Sequence, residues 1–227
     1  MTDIKANLTN ITNQLEQLRQ QHHNPNVELL AVSKTKPASQ IQAAYDWGQR
    51  KFGENYVQEA VEKIQQLTDL VDIQWHFIGP IQSNKTKLIA ENFSWVQSID
   101  RAKIATRLND QRPSNLPPLN VCVQVNVSGE QTKSGLEDET ELEDLCRQID
   151  QAPNLTLRGL MAIPAPSKDP QQIATAHNKM QQLYTQLQSQ YTTIDTLSMG
   201  MSNDMDIAIA QGSTMVRVGT AIFGARG

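Results

Sequence analysis

The 227-residue chain holds two cysteines, Cys122 and Cys146. One sits in an apolar run and the other in a helical pattern, so both read as reduced packing residues; two thiols without nearby histidines make neither a disulfide framework nor a metal site. An excess of basic charge is also missing. Twenty Lys and Arg against twenty-four Asp and Glu leave a net charge of −4, which argues against nucleic acid or an anionic membrane as partner. No apolar run approaches the roughly 20 residues of a membrane span. The opening Met-Thr-Asp-Ile-Lys lacks an apolar signal region, which predicts a cytoplasmic protein. A Walker loop and a serine-triad signature are absent, and His22-His23 is an isolated pair. After the first apolar, β-prone run there is no glycine-rich dinucleotide fingerprint; Ser33-Lys34-Thr35-Lys36-Pro37 stands there instead.

What is present is an alternation of short β-rich runs with amphipathic helices. Hydrophobic residues make up 38% of the chain, enough for a core in a domain of this size, which buries roughly 70–75% of its unfolded surface. A leading helix is expected over residues 3–21, with Ile4, Leu8, Ile11, Leu15 and Leu18 on one face and Thr2 as its N-cap. Strands are expected at 27–33, 51–53, 73–78, 93–98, 119–127, 155–163, 193–198 and 214–218. Helices fall between them, one of them glutamine-rich around Gln181–Gln188, where the regular leucine spacing favours a solvated helix face over a prion-like tract. Eight strands alternating with helices predict an α/β chain closed as a single (β/α)₈ TIM barrel with an extra N-terminal helix, occupying residues 1–227 as one domain. An open doubly wound sheet is the alternative, and the missing dinucleotide fingerprint counts against it.

Active sites of such barrels lie at the C-terminal ends of the strands. Lys34, Glu54-Asn55, His76, Ser98, Asn126, Ser198 and Arg217 with Gly219 fall at those ends. A lysine leaving a buried strand enters the pocket or merely begins a loop; desolvation would favour its neutral amine, which attacks carbonyls. Ser198-Met199-Gly200-Met201-Ser202 and Gly219-Thr220 supply hydroxyls and glycines where these barrels often hold phosphate, with Ser202 or Asn203 expected to cap the next helix. Each is also a common cap or turn. Arg217 shares a strand face with Met215 and Gly219 and needs a ligand or an acidic partner there. His76 reads equally as a hydrogen-bonded core residue. Lys36 points outward or supplies a secondary charge, and Lys133 lies in a glycine-bounded loop.

Five stretches taken together resemble the pyridoxal phosphate (PLP) homeostasis protein family, related to the N-terminal barrel of alanine racemase. They are Ala31–Pro37, Phe52–Glu59, Trp75–Gly79, Leu197–Ser202 and Val216–Gly224. The resemblance implies a fold-type III barrel with PLP held as a Schiff base on Lys34. It places Ser198, Met199, Ser202, Gly219 and Thr220 around the phosphate, Arg217 at the pyridine nitrogen, and Asn55 with His76 along the ring. A cation beside that nitrogen disfavours its protonation and weakens the cofactor as an electron sink. The chain stops at Gly227, without the β-domain from which racemases draw a second base, and Lys133 stands near the place of a racemase arginine.

The expectation is therefore a PLP-binding protein of intracellular vitamin B6 and amino/keto acid homeostasis, without substantial catalysis, acting as a monomer. PLP-dependent apoenzymes or a regulatory protein are its candidate partners. The alternative is a racemase-like fold-type III enzyme acting on an amino acid; a cofactor-free Schiff-base aldolase is a third.

Overall fold

The five apolar positions of the leading helix, Ile4, Leu8, Ile11, Leu15 and Leu18, are all buried along one face of α1 (Ile4–Gln21). Each such side chain contributes roughly 1.5–3 kcal/mol on burial, before the entropy of ordering the helix is subtracted. The N-cap is Asp3, not Thr2: its carboxylate accepts the Ala6 N–H at 3.0 Å, satisfying one of the orphan donors of the first turn.

The computed structural model describes residues 2–128 and 134–225. After α1 come β1 (Glu28–Val32), α2 (Ala38–Asp46), β2 (Lys51–Glu54), α3 (Val57–Gln66), β3 (Gln74–Phe77), α4 (Thr86–Asn92), β4 (Trp95–Ile99) and α5 (Ala102–Gln111). The second half holds β5 (Leu119–Val125), α6 (Glu139–Asp150), β6 (Leu155–Ala162), α7 (Pro170–Gln188), β7 (Thr196–Met201), α8 (Met205–Ala210), β8 (Met215–Val218) and α9 (Thr220–Phe223). Neighbouring strands are parallel and β8 pairs back onto β1, so the eight strands close in sequence order. The expected barrel is the fold. No helix among the described residues is long and apolar enough to cross a membrane.

Most strand bounds shift by one or two residues from expectation, and two elements differ more. Strand β7 ends at Met201 rather than Ser198, and its register against β8 shifts between Ser198 and Met201. That irregularity lets Gly200 stay in the strand with φ at +92°. The short α9 was not anticipated; it follows β8 directly, buries Ile222 and Phe223, and receives a hydrogen bond from Asn7 of α1.

The largest apolar cluster lies between strands and helices. The barrel interior holds two smaller clusters: Leu30, Ile78 and Met215, and Trp95, Cys122 and Met161. Between them run buried polar side chains, His76, Gln97, Ser198 and Arg217, where such barrels usually stack branched aliphatics. Both cysteines are free and buried, and desolvation pushes the Cys146 thiol up to about 12 and raises Cys122 as well, so neither supplies a thiolate.

Candidate functional site

At the C-terminal mouth of the barrel lies a cavity of about 430 Å³. Its polar wall is Lys34, Asn55, Ser202, Arg217, Gly219 and Thr220, and Val32, Ile78 and Ile163 form its apolar side. Six of the nine residues singled out from the sequence therefore meet around one volume, contributed by the ends of β1, β2, β7 and β8. The remaining three, His76, Ser198 and Met199, do not line it.

Lys34 leaves β1 at the second position of a β-turn. The Lys36 N–H donates to the Ser33 carbonyl at 3.1 Å across it, and Thr35 at the third position has φ at +64°. That is the region a type II turn demands and glycine normally fills. The next residue, Lys36, is not a pocket charge: its Nζ donates to the Ala225 carbonyl at 2.6 Å, tying the turn to the segment after α9. Lys133 lies outside the described residues.

Arg217 enters from β8 and is held by three hydrogen bonds to neutral acceptors. Nη1 donates to the Ser198 carbonyl at 2.8 Å and to Ser198 Oγ at 2.7 Å, and Nη2 donates to the Ala162 carbonyl at 2.7 Å. Burial draws its guanidinium down to about 10, so it is still charged at neutral pH. Among the described residues no carboxylate forms an ion pair with it, which leaves a positive charge in the cavity wall.

The chain of donors continues into the barrel. Ser198 Oγ donates to Gln97 Oε1 at 2.7 Å, and Gln97 Nε2 lies 3.0 Å from His76 Nδ1. An amide nitrogen only donates, so His76 Nδ1 accepts and its proton sits on Nε2. His76 is fully buried and stacked on Trp95 at 5.0 Å, and desolvation holds its pKa well below 6.5. It therefore ends a chain that orients Arg217 and does not touch the cavity. Ser198 is the middle of that chain. The reason lies in the parity of β7: Ser198 points into the barrel beneath the cavity, while Met199 points outward into the shell packed by the helices.

Gly200 also departs from its expected place beside a ligand. A Cβ there would lie 2.5 Å from Ala208 Cβ, so the glycine lets α8 pack directly on β7. The loop that reaches the cavity is Ser202-Asn203, and the helix after it is capped at Asp204 rather than at either of those residues. Asp204 Oδ1 accepts the Met201 N–H at 2.6 Å, and Oδ2 lies 2.9 Å from Nε2 of the buried His177 on α7. Burial opposes ionisation of this carboxyl, yet the hydrogen bonds from His177 and Met201 outweigh it and hold the pKa below the ordinary value.

Asn55 carries an observation of its own. Its Oδ1 is buried beside the cavity with no hydrogen-bond partner among the described residues, and a buried acceptor left so costs about 1–3 kcal/mol. A ligand donor would satisfy it. Its backbone is fixed by Gly79 after β3, where a Cβ would lie 2.7 Å from Asn55 Cα. Gly79→Ala is accordingly expected to push the β2–α3 loop outward and cost about 2–3 kcal/mol. Urea denaturation checks the stability; cofactor affinity in the same variant checks the displacement of Asn55.

Sequence reasoning passed over Gln97, Asp204, His177 and Lys63, and placed Glu54 at a strand end without giving it a role; Glu54 and Lys63 are buried behind Lys34. Glu54 stands inside the quoted Phe52–Glu59 stretch, and that was the available signal. Lys63 reads as an ordinary surface lysine on an amphipathic helix. Among the described residues no group of His, Cys, Asp and Glu could hold a metal ion.

Known proteins share the sequence pattern and the barrel. Residues 6–227 match the family described as alanine racemase, N-terminal domain. The pyridoxal phosphate homeostasis protein of Escherichia coli K12 is 53% identical over 230 residues, covering 100% of this chain and 98% of that protein. PipY of Synechococcus elongatus, solved with PLP bound, superposes with a TM-score of 0.86 at 36% identity, covering 98% of this chain and 100% of PipY. An alanine racemase from Clostridium difficile shares the fold, with a TM-score of 0.77 at 14% identity, and this chain spans 57% of its length. Matched along nearly its whole length by that family model and by a relative at 53% identity, the chain belongs to the pyridoxal phosphate homeostasis protein family, built on the barrel of the alanine racemase N-terminal domain.

Proposed function

We propose that this protein binds pyridoxal 5′-phosphate as a Schiff base on Lys34 and serves vitamin B6 and amino/keto acid homeostasis without substantial catalysis. The observation that carries the reading is the single cavity in which Lys34 faces Arg217, Ser202, Gly219 and Thr220. Its 430 Å³ falls within the range of sites for cofactor-sized ligands. The phosphate would rest on the Ser202 and Thr220 hydroxyls and the Gly219 backbone. Asn55 Oδ1, otherwise unpartnered, would accept a donor there. Bound, the cofactor supplies an aldehyde for condensation with amines and a ring that withdraws electrons.

Arg217 bears on the second half of the reading. A permanent cation at the pyridine nitrogen would disfavour its protonation and make the ring a weaker electron sink. The neighbouring side chains, Ser198, Gln97 and neutral His76, are committed to orienting Arg217 rather than to moving protons at the mouth. We place the protein in the cytoplasm as a monomer that exchanges PLP with dependent apoenzymes or answers to a regulatory protein; neither nucleic acid nor membrane enters the proposal.

Purified protein mixed with PLP is expected to develop a visible absorbance band at one equivalent. The loaded protein is expected to leave L- and D-amino acids unchanged over hours by chiral chromatography. Sustained turnover that disappears in Lys34→Ala would replace this reading with the racemase-like enzyme.

A further inference from the structure

The turn that carries Lys34 adopts a conformation its own sequence disfavours. Thr35 has φ at +64°, and a β-branched residue is among the poorest choices for that region. Something outside the turn must hold it.

Behind the turn lies a cluster of charge that the cofactor reading does not use. The ammonium of Lys63, buried on α3, donates to the Ser33 carbonyl at 2.9 Å, to Glu54 Oε1 at 2.8 Å and to Glu59 Oε1 at 2.5 Å. Its three donors are thereby all committed. Glu59 Oε1 also accepts the Thr35 N–H at 2.6 Å, and Ser33 Oγ donates to Glu54 Oε1 at 2.6 Å. Both residues flanking Lys34 are thus tied to one ion cluster: Ser33 by its carbonyl and hydroxyl, Thr35 by its amide. Glu54 comes from β2 and is fully buried, whereas Glu59 and Lys63 are one turn apart on α3. Burying the Glu54 carboxylate with the Lys63 ammonium is weak support for stability alone, Glu59 keeps contact with solvent, and the cluster is directed at a loop of four residues.

We infer that the buried Glu54 and Lys63, with the partly exposed Glu59, form a clamp that holds the Ser33–Lys36 turn in its strained form and so keeps the Lys34 amine in the cavity wall. They are positioning residues, acting through the backbone of the turn. The inference rests on the reading of Lys34 as the attachment point of PLP. Once the clamp is released, Thr35 relaxes to negative φ and the Lys34 side chain swings with the peptide planes on either side of it.

The test follows the growth of the visible band after rapid mixing of apoprotein with PLP. Glu59→Ala removes the acceptor of Thr35 and is expected to slow uptake by about tenfold or more, the loss of one charge-assisted hydrogen bond. Glu59→Gln keeps an acceptor oxygen and should restore a rate near wild type. Thr35→Gly removes the strain, so Glu59→Ala added to it should slow uptake by a much smaller factor than it does alone. A general loss of stability would instead slow both backgrounds equally. Uptake by Glu59→Ala at the wild-type rate, or an equal factor in the two backgrounds, overturns the clamp. Should Glu59→Ala fail to fold, Glu59→Asp, too short to reach both Thr35 and Lys63, serves in its place with the same outcomes. A wild-type protein that develops no band, or a band that survives in Lys34→Ala, overturns the cofactor reading instead.

Discussion

Lys34→Ala is expected to abolish the visible absorbance of the PLP-loaded protein while leaving the barrel folded. The side chain lies after the last residue of β1 and is partly buried in the cavity wall. Its stem supports no core cluster, so the change in unfolding free energy should stay within about 1 kcal/mol. The cofactor, by contrast, loses its covalent attachment. What remains is the cradle of Ser202, Gly219 and Thr220, which should hold the phosphate end reversibly, with Arg217 at the ring. A fall in affinity on the order of 100-fold or more follows, about 2.7 kcal/mol. Borohydride reduction followed by peptide mass mapping reads the same point independently: the mass of the reduced cofactor should sit on the peptide containing Lys34 in wild type and nowhere in the variant. Label on Lys36 alone would move the attachment site and sink the assignment.

Arg217→Ala is expected to have the larger effect on stability. The substitution removes a long buried side chain and three hydrogen bonds, leaving the Ser198 and Ala162 carbonyls without those donors. A cavity term and newly unsatisfied acceptors should together lower stability by about 2–4 kcal/mol. The chain to Gln97 and His76 loses its first donor as well, leaving Ser198 Oγ with only its bond to Gln97 Oε1. Arg217→Lys separates charge from geometry. It preserves the cation, but an ammonium lacks the planar fork that spans Ser198 and Ala162 together. The band of the loaded protein should weaken or shift in both variants, with PLP affinity down about tenfold in Arg217→Ala and less in Arg217→Lys, as one charged contact is lost or kept. Chemical denaturation and a PLP titration of each variant check the two halves. An Arg217→Ala protein with unchanged spectrum and affinity would remove Arg217 from the site.

Much of this was legible in the linear order of residues. The alternation of β-prone runs with helical stripes fixed the barrel, because period two and period 3.6 are imposed by backbone geometry and need no partner to be recognised. The lysine at the end of the first apolar run and the Arg-Val-Gly-Thr stretch were visible for the same reason. The side-chain parity of β8 also carried through: Met215 packs inside with Leu30 and Ile78, and Arg217 and Gly219 reach the cavity.

Strand β7 shows where that legibility stops. A one-residue change of register sends each side chain to the opposite face, and the irregularity between Ser198 and Met201 decides which of Ser198, Met199 and Ser202 reaches the cavity. Neighbouring strands set such a shift; the six residues of β7 do not encode it alone. The same holds for His76, whose role depends on Gln97 and Ser198 meeting it from other strands. Lys63 is the sharpest case. Nothing along α3 marks it as buried, and only closure of β1 against β2 brings Ser33 and Glu54 within reach of its ammonium. The order of residues thus determined the barrel and the lysine at its mouth, since both follow from local period. Which polar groups turn inward, and which charges lie behind that lysine, was decided by strand register and helix packing, because hydrogen-bonding distance between residues far apart in the chain exists only once the ring is closed.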